Sequence, residues 1–227
     1  MAERWSTETF AERLKATIRE RYHDSHPFHQ RMHAGSLTED EVKHWIYNRF
    51  YYQRNLPAKD ALIVAKLPDR EARRRWLERI VEQDGRTADE GGLEDWLRLG
   101  QAAGLGRKAM LDDGRTVPGV RFAVDGYVSF CRENSWWEGV AASLTQLQVP
   151  ELMDTRISAF EQHYRWVKTE GLAYFRRRRD VEPGHADHAL SLVLEAADTR
   201  ERQERALAAV RYKCDVLNGL LDALDQR

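Results

Sequence analysis

The chain has 227 residues, 42% of them apolar and 32% charged, with a formal net charge of −1. That length allows a proper core, and the charge balance lacks the broad basic excess that nucleic-acid binding demands. No apolar run approaches membrane-spanning length, MAERWSTETF has no apolar signal core, and Cys131 and Cys214 stand alone without a CxxC; together these predict a cytoplasmic protein that engages neither nucleic acid nor membrane.

The apolar period is helical nearly throughout, and no run alternates as a strand would. Phe10, Leu14 and Ile18 form the stripe of a first helix. A short helix from Pro27 is expected to stop at Gly35. Thr38-Glu39-Asp40-Glu41 reads as a capping box, followed on one face by Val42, Trp45, Ile46 and Phe50. Pro57 is expected to break or kink that run, with helix resuming from Ala58 to Leu67. Asp69 caps a helix through Trp76 and Ile80, and EQDGRTADEGG (82–92) reads as a glycine-rich acidic loop. Further helices fit 92–104, 107–112, 118–133, 136–148, 150–162, 167–178, 185–197 and 200–225. The expectation is one all-α domain over 1–227, with roughly seven to ten helices.

Two stretches carry candidate chemistry. YHDSHPFHQRMH (22–33) holds four of the eight histidines. A closed zinc site would want cysteine ligands that are not nearby, and Pro27 prevents the four from sharing one helical face. A di-iron bundle needs ExxH pairs, which Glu20…His23, Glu41…His44 and Glu182…His185 match in spacing. Glu41, however, is explained by its capping box, and Pro183-Gly184 interrupts the last pair. No metal site is expected, and His26, His29 and His33 are assigned to packing or solvent. In NRFYYQRNLPAKDA (48–61), Arg49, Tyr52 and Gln53 share a helical face, with Lys59 beyond the proline. Such a set could grip a flat, anionic, oxygen-rich molecule. The spacing alone leaves that reading level with surface cations beside core aromatics.

Seven segments in order, YHDSHPFH, NRFYYQ, LPAKDA, LEDWLRLG, PGVRFAVDGYVSF, ASLTQL and YKCDVLNGLLDAL, resemble the pyrroloquinoline-quinone synthase family over about residues 8 to 225. The resemblance implies a compact seven-helix bundle of the haem-oxygenase-like type, working as a homodimer. It also implies a cofactor-free oxidase that closes the last ring of a small polycarboxylated quinone precursor. Molecular oxygen is then the co-substrate and hydrogen peroxide the by-product, with no metal, haem or flavin. By matching positions, Arg49, Lys59, Arg156, Arg178 and Lys213 would supply cations for the polyacid. Tyr22, Tyr52 and Tyr127 would stack on its ring or donate to its oxygens, and Gln53, Thr145 and Gln146 would hydrogen-bond it. His23, Lys213, Tyr174, Arg178 and Gln83 occupy catalytic positions.

Three departures from the family pattern bear on proton handling. The family reads His-Asp-Gly at Gln83-Asp84-Gly85, Thr-Glu at Thr145-Gln146, and in some members histidine at Met153. Glutamine cannot exchange a proton near neutral pH. The histidine replaced by Gln83 belongs, with Tyr174 and Arg178, to the constellation thought to hold dioxygen or peroxide. Two alternatives therefore stand beside the oxidase: a weakened relative that binds the quinone or its precursor without full turnover, and a haem-oxygenase-like metal oxidase. The chain also ends, at Arg227, sooner after its last helix than the family pattern leads one to expect.

Overall fold

The computed structural model describes residues 3–225, and among these every regular element is helical. The first helix, α1 (Thr7–Arg21), starts where the Ser6 hydroxyl accepts from the Thr9 amide at 3.1 Å, and it buries Phe10, Leu14 and Ile18. A 3₁₀ turn (His23–Ser25) leads to α2 (Pro27–His33), which has proline in its first turn and the His26 ring accepting from the Phe28 amide. The Thr38–Glu41 capping box opens α3 (Glu39–Val64) as expected.

Pro57 does not break α3. Its missing N–H frees the carbonyl of Gln53, four residues back, and the Gln83 side-chain amide donates to that oxygen at 3.1 Å. An orphan created in one helix is satisfied by the next.

Asp69 caps α4 (Arg70–Asp84), and α5 (Gly91–Ala102) follows a tight loop. Gly91 has φ +92°, and a Cβ there would lie 2.4 Å from the Gly85 nitrogen, so the turn requires glycine. Then come α6 (Arg107–Leu111), α7 (Pro118–Glu133) and α8 (Trp136–Ala142). The helix expected over 136–148 ends early. Residues 143–148 tighten into 3₁₀ turns, with the Ser143 hydroxyl bonding the Gly139 carbonyl, before α9 (Val149–His163).

The expected pair 167–178 and 185–197 is one helix, α10 (Ala173–Ala196), entered by a 3₁₀ turn over Thr169–Leu172. It runs through Pro183 because Glu182, Ala186, Ala189 and Val193 are all buried on one face, and tertiary packing outweighs the local penalty. The last helix, α11 (Arg200–Asp225), buries Leu207, Val210, Cys214, Leu217, Leu221 and Leu224 as the spacing predicts. The helical segments outnumber the seven that the resemblance implies, because short ones such as α2, α6 and α8 stand apart from the long ones.

Helix α3 packs on α4, α5 and α7, α11 on α1, α7 and α8, and α10 on α8 and α9. Trp45, Trp96, Phe160 and Phe175 interlock at centroid distances of 5.4–6.4 Å. This apolar plug floors the polar interior described next.

Candidate active site

Between the end of α1 and helices α3, α7, α9, α10 and α11 lies a buried cavity lined by nineteen residues. Every residue that the sequence assigned to the site borders it except Gln83. Tyr22 and His23 come from the end of α1 and the turn beyond it; Arg49, Tyr52, Gln53 and Lys59 from α3; and Tyr127 from α7. Thr145 and Gln146 come from the 3₁₀ turns, Arg156 from α9, Tyr174 and Arg178 from α10, and Lys213 from α11. Gln83 is a correction: it stands one layer back, bonded to the Gln53 carbonyl. Gly92 makes room for it, since a Cβ there would lie 2.6 Å from the Gln83 side-chain oxygen.

Five basic side chains from four helices face the cavity, and among the described residues no carboxylate lines its wall. Two have acids behind them. The Lys59 ammonium lies 2.7 Å from Asp60 and donates to the Ser143 hydroxyl at 3.0 Å, while Arg178 lies 2.5 Å from Glu182. Burial works against the charge on Arg178, but Glu182 and the phenols of Tyr174 and Tyr52 hold its pKa above the ordinary value. The other three rest on aromatic faces. Arg49 is 4.1 Å from the Tyr52 ring centre, Lys213 is 3.6 Å from that of Tyr127, and Arg156 is 5.0 Å from that of Trp45. Burial, then the nearby Arg49 and Lys59, push Lys213 well below the usual ammonium range. Its nitrogen lies 2.7 Å from the Tyr52 hydroxyl. Burial, then Arg49, bring Arg156 down to about 9, so it remains charged at neutral pH.

His23 is neutral at physiological pH, because burial, Arg49 and Arg156 push its pKa well below 6.5. Its Nδ1 is buried without a hydrogen-bond partner. Sequence reasoning assigned His29 to packing or solvent, yet it positions Arg156. The Arg156 guanidinium can only donate, so His29 Nε2 accepts from it at 3.2 Å and Nδ1–H donates to the His23 carbonyl at 2.9 Å. Burial and then Arg156 keep His29 neutral as well. His26 ties α2 to α11 through Asp222 at 3.0 Å.

The phenols are donors rather than bases. Burial pushes Tyr52 up to about 12 and Tyr127 well above 10. Tyr174 donates to the Gln53 side-chain oxygen at 2.8 Å, and the Gln146 side-chain oxygen accepts from Arg79. Sequence reasoning missed Ser143 on the wall and Asp60, Arg79 and Glu182 behind it. The Arg178…Glu182 spacing of four was the available signal, but Glu182 was read with His185 instead. The three ExxH pairs do not converge, and no group of three or more His, Cys, Asp or Glu is placed to hold a metal ion among the described residues.

The space left free is about 50 Å³. That holds a water or two, whereas sites for drug-sized ligands enclose about 300–1,000 Å³. A ligand of that size would therefore enter only if the wall spreads.

A family model described as TENA/THI-4/PQQC family matches residues 11–223. Proteins named pyrroloquinoline-quinone synthase from Cronobacter sakazakii and Pseudomonas aeruginosa are each 46% identical over 203 residues, covering 89% of this chain and 81% of theirs. Among solved structures, a Shewanella denitrificans domain of unknown function with a heme oxygenase-like fold superposes with a TM-score of 0.79 at 13% identity, covering 97% of this chain and 92% of that one. That likeness fixes the fold class as haem-oxygenase-like.

Proposed function

The chain belongs to the TENA/THI-4/PQQC family, and from that premise we propose that its cavity takes the ring-open precursor of pyrroloquinoline quinone, closes the last ring and oxidises it with O2, releasing H2O2. The protein is an oxidoreductase of pyrroloquinoline-quinone biosynthesis. One observation carries the assignment of the site: five basic side chains from four helices, four of them held as cations, converge on a buried wall that, among the described residues, offers no carboxylate of its own. A polycarboxylate loses its hydration there only if cations replace it.

The groups suit base-promoted oxidation. His23 is neutral with an unpartnered ring nitrogen, and Lys213 is biased toward its neutral amine, so each can accept a proton from a ring carbon. Tyr52 and Tyr127 stay protonated and donate to quinone oxygens as negative charge develops. Electrons leave the reduced ring as a pair, and O2 takes them with two protons to become H2O2. We place O2 beside Tyr174 and Arg178. The reduced ring itself activates oxygen, so no metal, haem or flavin is invoked. Metal-free protein is expected to bind pyrroloquinoline quinone in a calorimeter and to consume O2 with the precursor. Failure to bind either at millimolar concentration would end the proposal.

Two copies are proposed to associate through α7 and α11. Phe122 is 84% exposed there, beside a groove lined by Gly119, Ala123, Gly126, Val216 and Gly219. Phe122→Asp is expected to lower the sedimentation mass toward one copy; an unchanged mass would move the interface elsewhere. The buried, unpaired Cys131 and Cys214 fit a reducing compartment, and the cytoplasm is the proposed location. No helix among the described residues is long and apolar enough to cross a membrane.

A further inference from the structure

No carboxylate lines the cavity, but one stands directly behind it. Glu182, on the inner face of α10, has no solvent exposure, and neither of its oxygens accepts a hydrogen bond. A buried carboxylate normally collects such bonds. This one is held by Arg178, 2.5 Å away, and Arg178 also faces the cavity. An anion entering beside Arg178 competes with Glu182 for the same guanidinium. Two carboxylates close together in a dry site do not both stay ionised.

A route for the compensating proton leads outward. Arg178 is paired with Glu182, and Arg79 and Glu82 on α4, Tyr52 on α3, Tyr22 at the end of α1 and Tyr174 on its own helix lie within its electrostatic reach. Glu82 has one buried oxygen without a hydrogen-bond partner, lying 3.5 Å from His185 Nε2. Both residues line a surface hollow with Glu78 and His188. Burial, then Glu182, raise the Glu82 pKa, which favours its carrying a proton.

We propose that Glu182 is an internal counter-ion that releases Arg178 to an anionic ligand by taking up a proton delivered from the surface through Glu82 and His185. The proposal rests on reading the cavity as the quinone-acid site. It gives this chain an ionisable group beside the cavity where Gln83 and Gln146 supply none. One solvent proton ends on one carboxylate, and no other bond changes.

Calorimetric titration with pyrroloquinoline quinone at neutral pH, in buffers of low and high ionisation enthalpy, counts the protons taken up. The wild type is expected to take up about one more proton per quinone than Glu182→Gln, and Glu182→Gln to bind about tenfold more tightly. Lys213 can also gain a proton, so the count is repeated in Lys213→Met, where uptake of about one is expected to persist. That variant decides the matter if Glu182→Gln does not fold. Equal counts with and without Glu182, or no uptake in Lys213→Met, would overturn the proposal while leaving the functional reading intact. Absence of any binding to the wild type would remove both.

Discussion

Replacing Arg156 separates the stability of this fold from its function. Its guanidinium is 4% exposed, its Nε has no partner, and among the described residues no carboxylate lies within salt-bridge reach. The fall of its pKa from 12.5 to about 9 means that folding disfavours the charged form. In free energy that amounts to about 5 kcal/mol. Against this stand the faces of Trp45 and Phe175, contributing about 2 kcal/mol, and the bond to His29, about 1.5 kcal/mol. Arg156→Met should therefore stabilise the protein by about 1–2 kcal/mol, a rise of a few degrees in Tm for a chain of this length. The cost of the charge is present in full below the folded pKa and fades only as pH rises toward 12.5. Melting by circular dichroism near pH 8, above the ordinary histidine range, reads it cleanly. The same variant should weaken pyrroloquinoline-quinone binding by about 2–5 kcal/mol, roughly thirtyfold to a few thousandfold, because a ligand carboxylate loses its buried partner. Arg156→Lys keeps the buried charge and should not gain stability. A Tm several degrees below wild type for Arg156→Met, or unchanged quinone affinity, would refute the reasoning.

Three further outcomes are expected. His23 and His29 are neutral in the fold but titrate near 6.5 when unfolded, so stability should fall as pH drops below 6.5, by about 1.4 kcal/mol per pH unit for each. Urea melts between about pH 7 and 5 measure the slope, and His29→Asn should reduce it. Gln83→Leu leaves the Gln53 carbonyl unpaired and should cost about 1–3 kcal/mol. In a Pro57→Ala background the restored N–H supplies a partner, so the cost should shrink; an equal cost in both backgrounds would contradict the account of α3. Gln146→Glu places an ionisable group on the wall beside Arg79 and should raise the rate of oxygen uptake with the precursor; an unchanged rate would show that Gln146 does not limit proton transfer.

The caps and stripes of α1, α3 and α11 were legible because they are local: a hydroxyl three residues from an amide, apolar residues at three- and four-residue spacing. Both interior prolines misled for the opposite reason. Whether Pro57 breaks its helix depends on Gln83, twenty-six residues away in another helix, and Pro183 is overridden by packing on α8 and α9. The cavity wall was legible through the resemblance, since spacing could place Arg49, Tyr52 and Gln53 on one face but could not bring Arg156, Arg178 and Lys213 to it. The layer behind the wall was not legible. His29 looked like one more histidine in a crowded stretch, and its role exists only because Arg156 lies 3.2 Å from it across the fold.

That hidden layer explains how five basic side chains share so small a space. Neutralising each with an acid would have made a stable interior with no charge left for a ligand. Asp60 and Glu182 do this for Lys59 and Arg178, while Arg49, Arg156 and Lys213 are attracted by the faces of Tyr52, Trp45 and Tyr127 instead. A ring face attracts a cation without cancelling its charge. The neutral His29 fixes Arg156 in direction and likewise adds no negative charge. The wall is thus basic, and burial, then mutual repulsion, depress Lys213 and Arg156. On the proposed reading, a planar polyacid would relieve that repulsion as it enters, and so offset the cost of widening a cavity too narrow for it at rest.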